Sequence, residues 1–276
     1  MKNKKKFLVI GNPIKHSLSP NLHQYWFDKN KINSEYKKLK IDHRQIKEIL
    51  NKIRKKQIEG INVTIPFKNH VIKYLDILEG DAKKTSSVNT IYLRKNKLIG
   101  DNTDVYGFAF GILKKIKTKI KAGGIIGAGG VTSSIILALI KKGVRKIYIT
   151  NRTFSKLKVL KQKFKGMIFP IKWNDHLKVF NEVQILINVT SLGMQGQKDL
   201  KFDFSIFDKK KINVVDIVYN PENTRFLRDA RKSGHKTFSG LDMFIYQAQK
   251  AFYIWNKKKP KVTNVVYKKL RKIIND

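Results

Sequence analysis

The sequence predicts an α/β protein in two parts, and three observations carry that prediction. Short apolar runs of strand length alternate with helix-period segments along most of the chain. A glycine turn, Gly127-Ala128-Gly129-Gly130, follows the apolar pair Ile125-Ile126 and opens a helical pattern, as in a strand-turn-helix unit. After Leu241 the alternation stops and the pattern is helical to the end, interrupted at 257–260. In the first part, strands are expected at 7–11, 35–39, 61–64 and 88–93, with helices from Pro20, over 44–55 and over 105–113. Ser19 followed by Pro20 reads as an N-cap and first-turn pair. The second series has strands at 124–126, 146–150, 167–171, 184–189, 213–217 and 236–238, which with intervening helices fits a doubly wound sheet. The expected domains are 1–104 with 242–276, and 105–241, the C-terminal helices folding back on the first domain and a ligand cleft lying between the two.

At 276 residues and 41% hydrophobic composition, the chain can build two ordinary cores. No apolar stretch approaches the roughly 20 residues of a membrane span, and Phe7-Leu8-Val9-Ile10 is too short for a secretory segment, so a cytoplasmic location is expected. The absence of cysteine excludes disulfides, thiolate nucleophiles and Cys-type zinc sites, and the six histidines show no metal-ligand spacing. The net charge of +39 raises the possibility of a polyanionic partner. Apart from the clusters at Lys2–Lys6 and 257–261, however, the lysines are spread over every predicted helix without aromatic interleaving. No specific nucleic-acid partner is expected; loose, salt-sensitive adhesion stays open.

A glycine turn at a helix start lets backbone N–H groups approach a pyrophosphate, with the helix dipole adding partial positive charge. One βα unit later, Asn151-Arg152-Thr153 has Arg152 where an NAD site carries an acidic residue, which favours NADP and its 2′-phosphate. An ordinary tight turn remains the alternative, because Thr132 replaces the third fingerprint glycine. In Asn62-Val63-Thr64-Ile65-Pro66-Phe67-Lys68, a strand ends in a proline turn that delivers one lysine at an expected helix start, against the helix dipole. Gly100-Asp101-Asn102-Thr103-Asp104 gathers two carboxylates ahead of a helix, and on the residues alone Asp104 is first of all an N-cap.

Taken in order, these segments resemble the shikimate dehydrogenase family over nearly the whole chain. The matching stretches are His16-Ser17-Leu18-Ser19-Pro20, the Asn62–Lys68 segment, Ser87-Val88-Asn89-Thr90, Gly100 to Asp104, the Gly127 turn and Asn151-Arg152-Thr153. They continue with Asn188 to Met194, Asp216-Ile217-Val218-Tyr219, and Gly240-Leu241-Asp242-Met243 with Gln247. The resemblance implies NADPH-dependent reduction of 3-dehydroshikimate to shikimate, a step toward chorismate and aromatic amino acids, by a monomer or homodimer acting on a small-molecule substrate. It also implies that Lys68 is the proton donor to the ketone oxygen and Asp104 its partner. Ser17, Ser19, Thr64, Asn89, Asp104, Tyr219 and Gln247 match substrate-binding positions. Gly127, Ala128, Gly129, Gly130, Asn151, Arg152, Thr153, Lys156, Thr190, Ser191, Met194, Val218 and Gly240 match cofactor-binding positions. On local chemistry alone, Ser17 and Ser19 are turn and cap residues, Asn89 a turn former, Gln247 a solvated helix residue, and Tyr219, Met194 and Met243 core. Asp242 departs from the pattern, standing where relatives often carry glycine, and quinate as a further substrate stays open. The competing readings are an NAD-dependent quinate dehydrogenase, which Arg152 disfavours, and a basic nucleic-acid or scaffold protein, which the Lys68 and Asp104 pair disfavours.

Overall fold

The computed structural model describes residues 4–207 and 210–276; Lys2 of the N-terminal basic cluster lies outside them. The chain divides into two compact units, Met1–Gly107 with Ile245–Ile273, and Phe108–Phe244 with Ile274–Asp276.

The first unit holds strands β1 (Lys5–Gly11), β2 (Ser34–Lys40), β3 (Gly60–Val63), β4 (Ile77–Leu78), β5 (Thr90–Arg94) and β6 (Lys97–Asp101). They form one mixed sheet in the order β2-β1-β3-β5-β6-β4. β1 runs parallel to β2 and β3, while β3–β5 and β5–β6 are antiparallel. Helices α1 (Ser19–Lys29), α2 (Ile46–Arg54) and α3 (Ala82–Thr85) precede α4 (Asp104–Gly111), within which the chain leaves this unit. α2 shows why such a segment is a helix here: Ile46, Ile49, Leu50 and Ile53 recur at helical spacing and are all buried, while its lysines face water. β4 and β6 were not expected from the sequence. The β5–β6 hairpin turns on Lys95 (φ 48°) and Asn96 (φ 57°), two left-handed residues without the glycine that announces such turns.

The helix start expected at Ser19 lies one residue earlier, with Leu18 in the cap position and no side-chain cap. The Ser17 hydroxyl instead accepts from the Ser19 N–H at 3.4 Å.

The second unit holds β7 (Ala122–Ile126), β8 (Lys146–Thr150), β9 (Ile168–Ile171), β10 (Ile185–Asn188), β11 (Asn213–Asp216) and β12 (Lys236–Phe238). All are parallel, in the order β12-β11-β10-β7-β8-β9. This is the doubly wound arrangement, whose strand order reverses between β7 and β10, where such sheets place ligands. The helices are α5 (Thr132–Lys141), α6 (Ser155–Lys163), α7 (His176–Phe180) and α8 (Arg225–Lys232). α9 (Gly240–Asn256) returns the chain to the first unit, and α10 (Asn264–Asn275) follows. The return is anchored by aromatic packing: Phe252 and Trp255 of α9 lie 5.0 Å from the rings of Phe27 and Phe7 respectively. No helix among the described residues is long and apolar enough to cross a membrane.

Candidate active site

In the first unit the site is built on the turn after β3. Phe67, fully buried, pins that turn into the core, and the Phe67 N–H closes it on the Thr64 carbonyl. The Val88 N–H donates to the Lys68 carbonyl, so the lysine's backbone is tied on its far side too. Lys68 precedes a short 3-10 helix, His70–Tyr74, rather than opening an α-helix, so the dipole conflict expected from the sequence does not arise. A partner explains the lysine instead: its ammonium lies 2.6 Å from Asp104 Oδ2, with side-chain exposures of 11% and 6%. A pair this buried is costly to desolvate and costlier to break, because removing one charge strands the other.

Asp104 is not the cap of α4. The Asn102 side chain takes that work, its Oδ1 accepting from the Asp104 and Val105 N–H groups at 3.0 and 3.3 Å. The Asp104 carboxylate is thereby released, one oxygen to Lys68 and the other to the Asn89 amide at 3.0 Å. Asp101, the neighbouring carboxylate, accepts from the Asn102 N–H at 2.7 Å, and burial raises its pKa. Asn89 is oriented without ambiguity. Its Oδ1 accepts from the Thr103 backbone N–H, a group that can only donate, so its amide nitrogen must face Asp104 and Gln247 Oε1, the latter at 3.3 Å. Asn89 therefore serves no turn, and Gln247 is drawn into a polar cluster rather than left in solvent. Ser19 is buried, while Ser17 and Thr64 are partly buried. Asn62, Asn102 and Thr103 complete the cluster; the sequence reading missed them as site residues because their partners lie up to 28 residues away along the chain.

In the second unit most residues expected to hold a cofactor lie at the carboxyl ends of β7, β8, β10 and β11, with Lys156 at the start of α6 and Gly240 opening α9 after β12. Gly127 has φ +111°, and a Cβ there would meet Thr190 Cγ2 at 2.7 Å, so only glycine fits. The Ala128 N–H does not face outward: it donates to Asn151 Oδ1 at 3.1 Å, and the Asn151 amide donates to the Thr153 carbonyl at 2.9 Å. Asn151 thus ties the glycine turn to the loop after β8, on which Arg152 and Thr153 are exposed and no acidic residue stands, with Lys156 exposed in the first turn of α6. This arrangement fits a dinucleotide carrying an extra phosphate, since glycine at the turn clears the approach and Arg152 supplies a planar cation.

The Thr190 and Val218 loops are joined by one buried carboxylate. Asp216 Oδ1 accepts from Asn188 Nδ2 and the Val218 N–H, both at 3.0 Å, and Oδ2 accepts from the Thr224 hydroxyl at 2.7 Å. Asn188 Oδ1 in turn accepts from the Thr190 N–H and hydroxyl at 3.0 and 2.7 Å. Burial pushes the Asp216 pKa up to about 6, against the opposing pull of these hydrogen bonds. Ser191 is exposed and Met194 partly exposed, so Met194 is not the core residue its composition suggests, whereas Met243 is. Tyr219 stacks on Phe244 at 4.6 Å and remains partly exposed. Gly240 is fixed by packing: a Cβ would lie 2.0 Å from the Ile217 carbonyl oxygen. Asp242 is not a loose carboxylate, since it pairs with Lys115 at 2.6 Å. Among the described residues no cluster of His, Cys, Asp and Glu could hold a metal.

Comparison with known proteins accounts for both units. A family model described as the shikimate dehydrogenase substrate binding domain matches residues 9–91, and the shikimate / quinate 5-dehydrogenase model matches 112–222. The shikimate 5'-dehydrogenase C-terminal domain matches 240–271. An NADP-dependent shikimate dehydrogenase of Pelagibacter ubique is 48% identical over 94% of this chain and 96% of its own. The chain belongs to the shikimate dehydrogenase family. Among solved structures of shikimate dehydrogenases, that from Thermus thermophilus in complex with NADP(H) and shikimate is similar, with TM-score 0.85 and 28% identity over 98% of this chain and 99% of that one. A quinate dehydrogenase from Corynebacterium glutamicum in complex with NAD reaches TM-score 0.89 at 25% identity, covering 97% and 99%. Within the shikimate dehydrogenase framework Lys68 and Asn89 fall in the first matched span and Arg152 in the second. Asp104 falls between spans, so its place rests on the ion pair and the Asn89 amide.

Proposed function

We infer that the chain is an NADP-dependent shikimate dehydrogenase that catalyses the reversible reaction 3-dehydroshikimate + NADPH + H⁺ ⇌ shikimate + NADP⁺. The observation that carries this reading is the buried Lys68–Asp104 pair, set within hydroxyl and amide groups suited to a polyol carboxylate. When bound, the cofactor supplies the hydride. The chain supplies the proton: charge builds on the ketone oxygen, and Lys68 Nζ donates to it while Asp104 holds the ammonium in position. Ser17, Ser19, Thr64, Asn89 and Gln247 bind the substrate's hydroxyls and carboxylate, with Tyr219 a further contact. Gly127, Gly129 and Gly130 leave room for the pyrophosphate, and Arg152, Thr153 and Lys156 hold the 2′-phosphate. Asn151 contributes by shaping both loops, and Thr190, Ser191, Met194, Val218 and Gly240 form the nicotinamide end.

The quinate dehydrogenase likeness raises a second reading, oxidation of quinate with NAD, which the acid-free loop at Arg152 opposes. Absorbance at 340 nm decides between them. Purified protein with shikimate and NADP should reduce the cofactor rapidly, and with quinate and NAD slowly; the reverse ranking would overturn the assignment.

A further inference from the structure

The Tyr36 phenol stands behind the substrate residues rather than among them. It is buried on β2, and its position is fixed from α1: Gln24 Oε1 accepts from the Tyr36 N–H at 3.3 Å, while Gln24 Nε2 donates to the Ser34 carbonyl at 3.2 Å. The ring stacks on His23 at 4.4 Å and 4°. The phenol donates to Asn62 Oδ1 at 2.7 Å, and the Ser19 side chain hydrogen-bonds the phenol as well. Asn62 cannot be turned over, because its amide nitrogen faces the Asn89 carbonyl at 2.9 Å, a group that only accepts, and Thr90 Oγ1 at 3.1 Å. Thr90 Oγ1 donates onward to Asn89 Oδ1 at 3.0 Å. A continuous chain thus runs from Ser19 through Tyr36, Asn62 and Thr90 to Asn89 and Asp104. Every link is buried or partly buried, where an unmade bond is costly.

We propose that Tyr36 is a positioning residue for substrate binding, its phenol holding the Ser19 hydroxyl and the Asn62 amide in register so that Ser19 and Asn89 meet the substrate together. The proposal rests on the reading of Ser19 and Asn89 as substrate contacts. It differs from a packing role for Tyr36 because the ring already fills the space against His23, and only the hydroxyl joins the polar chain.

Tyr36→Phe keeps the ring and deletes the hydroxyl. KM for shikimate should rise about five- to tenfold, as for one lost hydrogen bond, while KM for NADP is unchanged and kcat stays within about twofold. Combined with Ser19→Ala, it should raise KM no further than Ser19→Ala alone, since both cut the same link. Should the Phe variant fold poorly, Asn62→Ala removes the phenol's acceptor from the other side and should give the same selective rise. A raised KM in Ser19→Ala with normal KM in Tyr36→Phe would overturn the positioning role and leave the substrate reading intact. Independent, multiplicative effects in the double variant would overturn it too. A normal shikimate KM in Ser19→Ala would instead remove the substrate reading on which the proposal stands.

Discussion

Single side chains here are tied to roles by what they touch. Asp104 would have been read as a helix cap from its position alone; only the Asn102 side chain, folded back onto the Asp104 and Val105 N–H groups, frees it for Lys68. Asp104→Ala should therefore leave an uncompensated buried ammonium, at a cost of about 3 to 5 kcal/mol of stability, measurable by chemical denaturation. Arg152 is exposed and carries no such structural duty. Its replacement by alanine should weaken NADP binding by about 1.5 to 3 kcal/mol, the worth of a charge-assisted hydrogen bond, and leave folding and turnover near normal. Equal NADP affinity in Arg152→Ala, by calorimetry, would move the 2′-phosphate site elsewhere. Lys68, Asp104, Asn89 and Arg152 were proposed from the sequence because each sits in a short motif. Asn62 and Tyr36 were not, because their work depends on partners brought close only by the sheet, as when Tyr36 reaches Asn62 across 26 residues; Asn102 was not, because its local capping of α4 left the cap role to Asp104 in the sequence.

At the scale of elements, the parallel sheet was the most readable part: apart from β12, its strands are short, mostly apolar runs closed by polar or turn residues. β4 and β6 were lost for opposite reasons, β4 being two residues long and β6 following a hairpin turn of Lys95 and Asn96 that lacks glycine. The loops after β10 and β11 are held together by Asp216, whose ionisation is opposed by burial. Its folded-state pKa of about 6 lies above the ordinary 3.8, so the folded protein binds the extra proton. The stability this brings is present below about 4 and lost as pH rises through 6, a difference of about 3 kcal/mol. Asp216→Asn stays neutral and can turn its amide nitrogen to Thr224 Oγ1. Its Tm should match the wild type near pH 4 and exceed it at pH 8; a Tm gap independent of pH would show that Asp216 is already ionised at no cost.

Over the whole molecule, two properties set the conditions in which the fold survives. His23 lies buried among Trp26, Tyr36, Phe252 and Trp255, and burial holds its pKa down to about 3. The unfolded chain takes up that proton near 6.5, so the stability His23 allows is full above that pH and lost as pH falls toward 3. His23→Phe should flatten this acid limb in a Tm-versus-pH series, and an unchanged limb would place the acid sensitivity in other groups. The net charge of +39 is the second property, and its scatter predicts polyanion binding that vanishes as salt approaches physiological strength. Retention of RNA at that salt with sequence preference would contradict it. In the proposed reaction Lys68 supplies the proton to a ketone reduced by NADPH, and the turnover of Lys68→Ala tests that most directly. With shikimate and NADP followed at 340 nm, kcat should fall roughly 10²- to 10⁴-fold while NADP affinity is retained; near-normal kcat would show that the proton comes from another group.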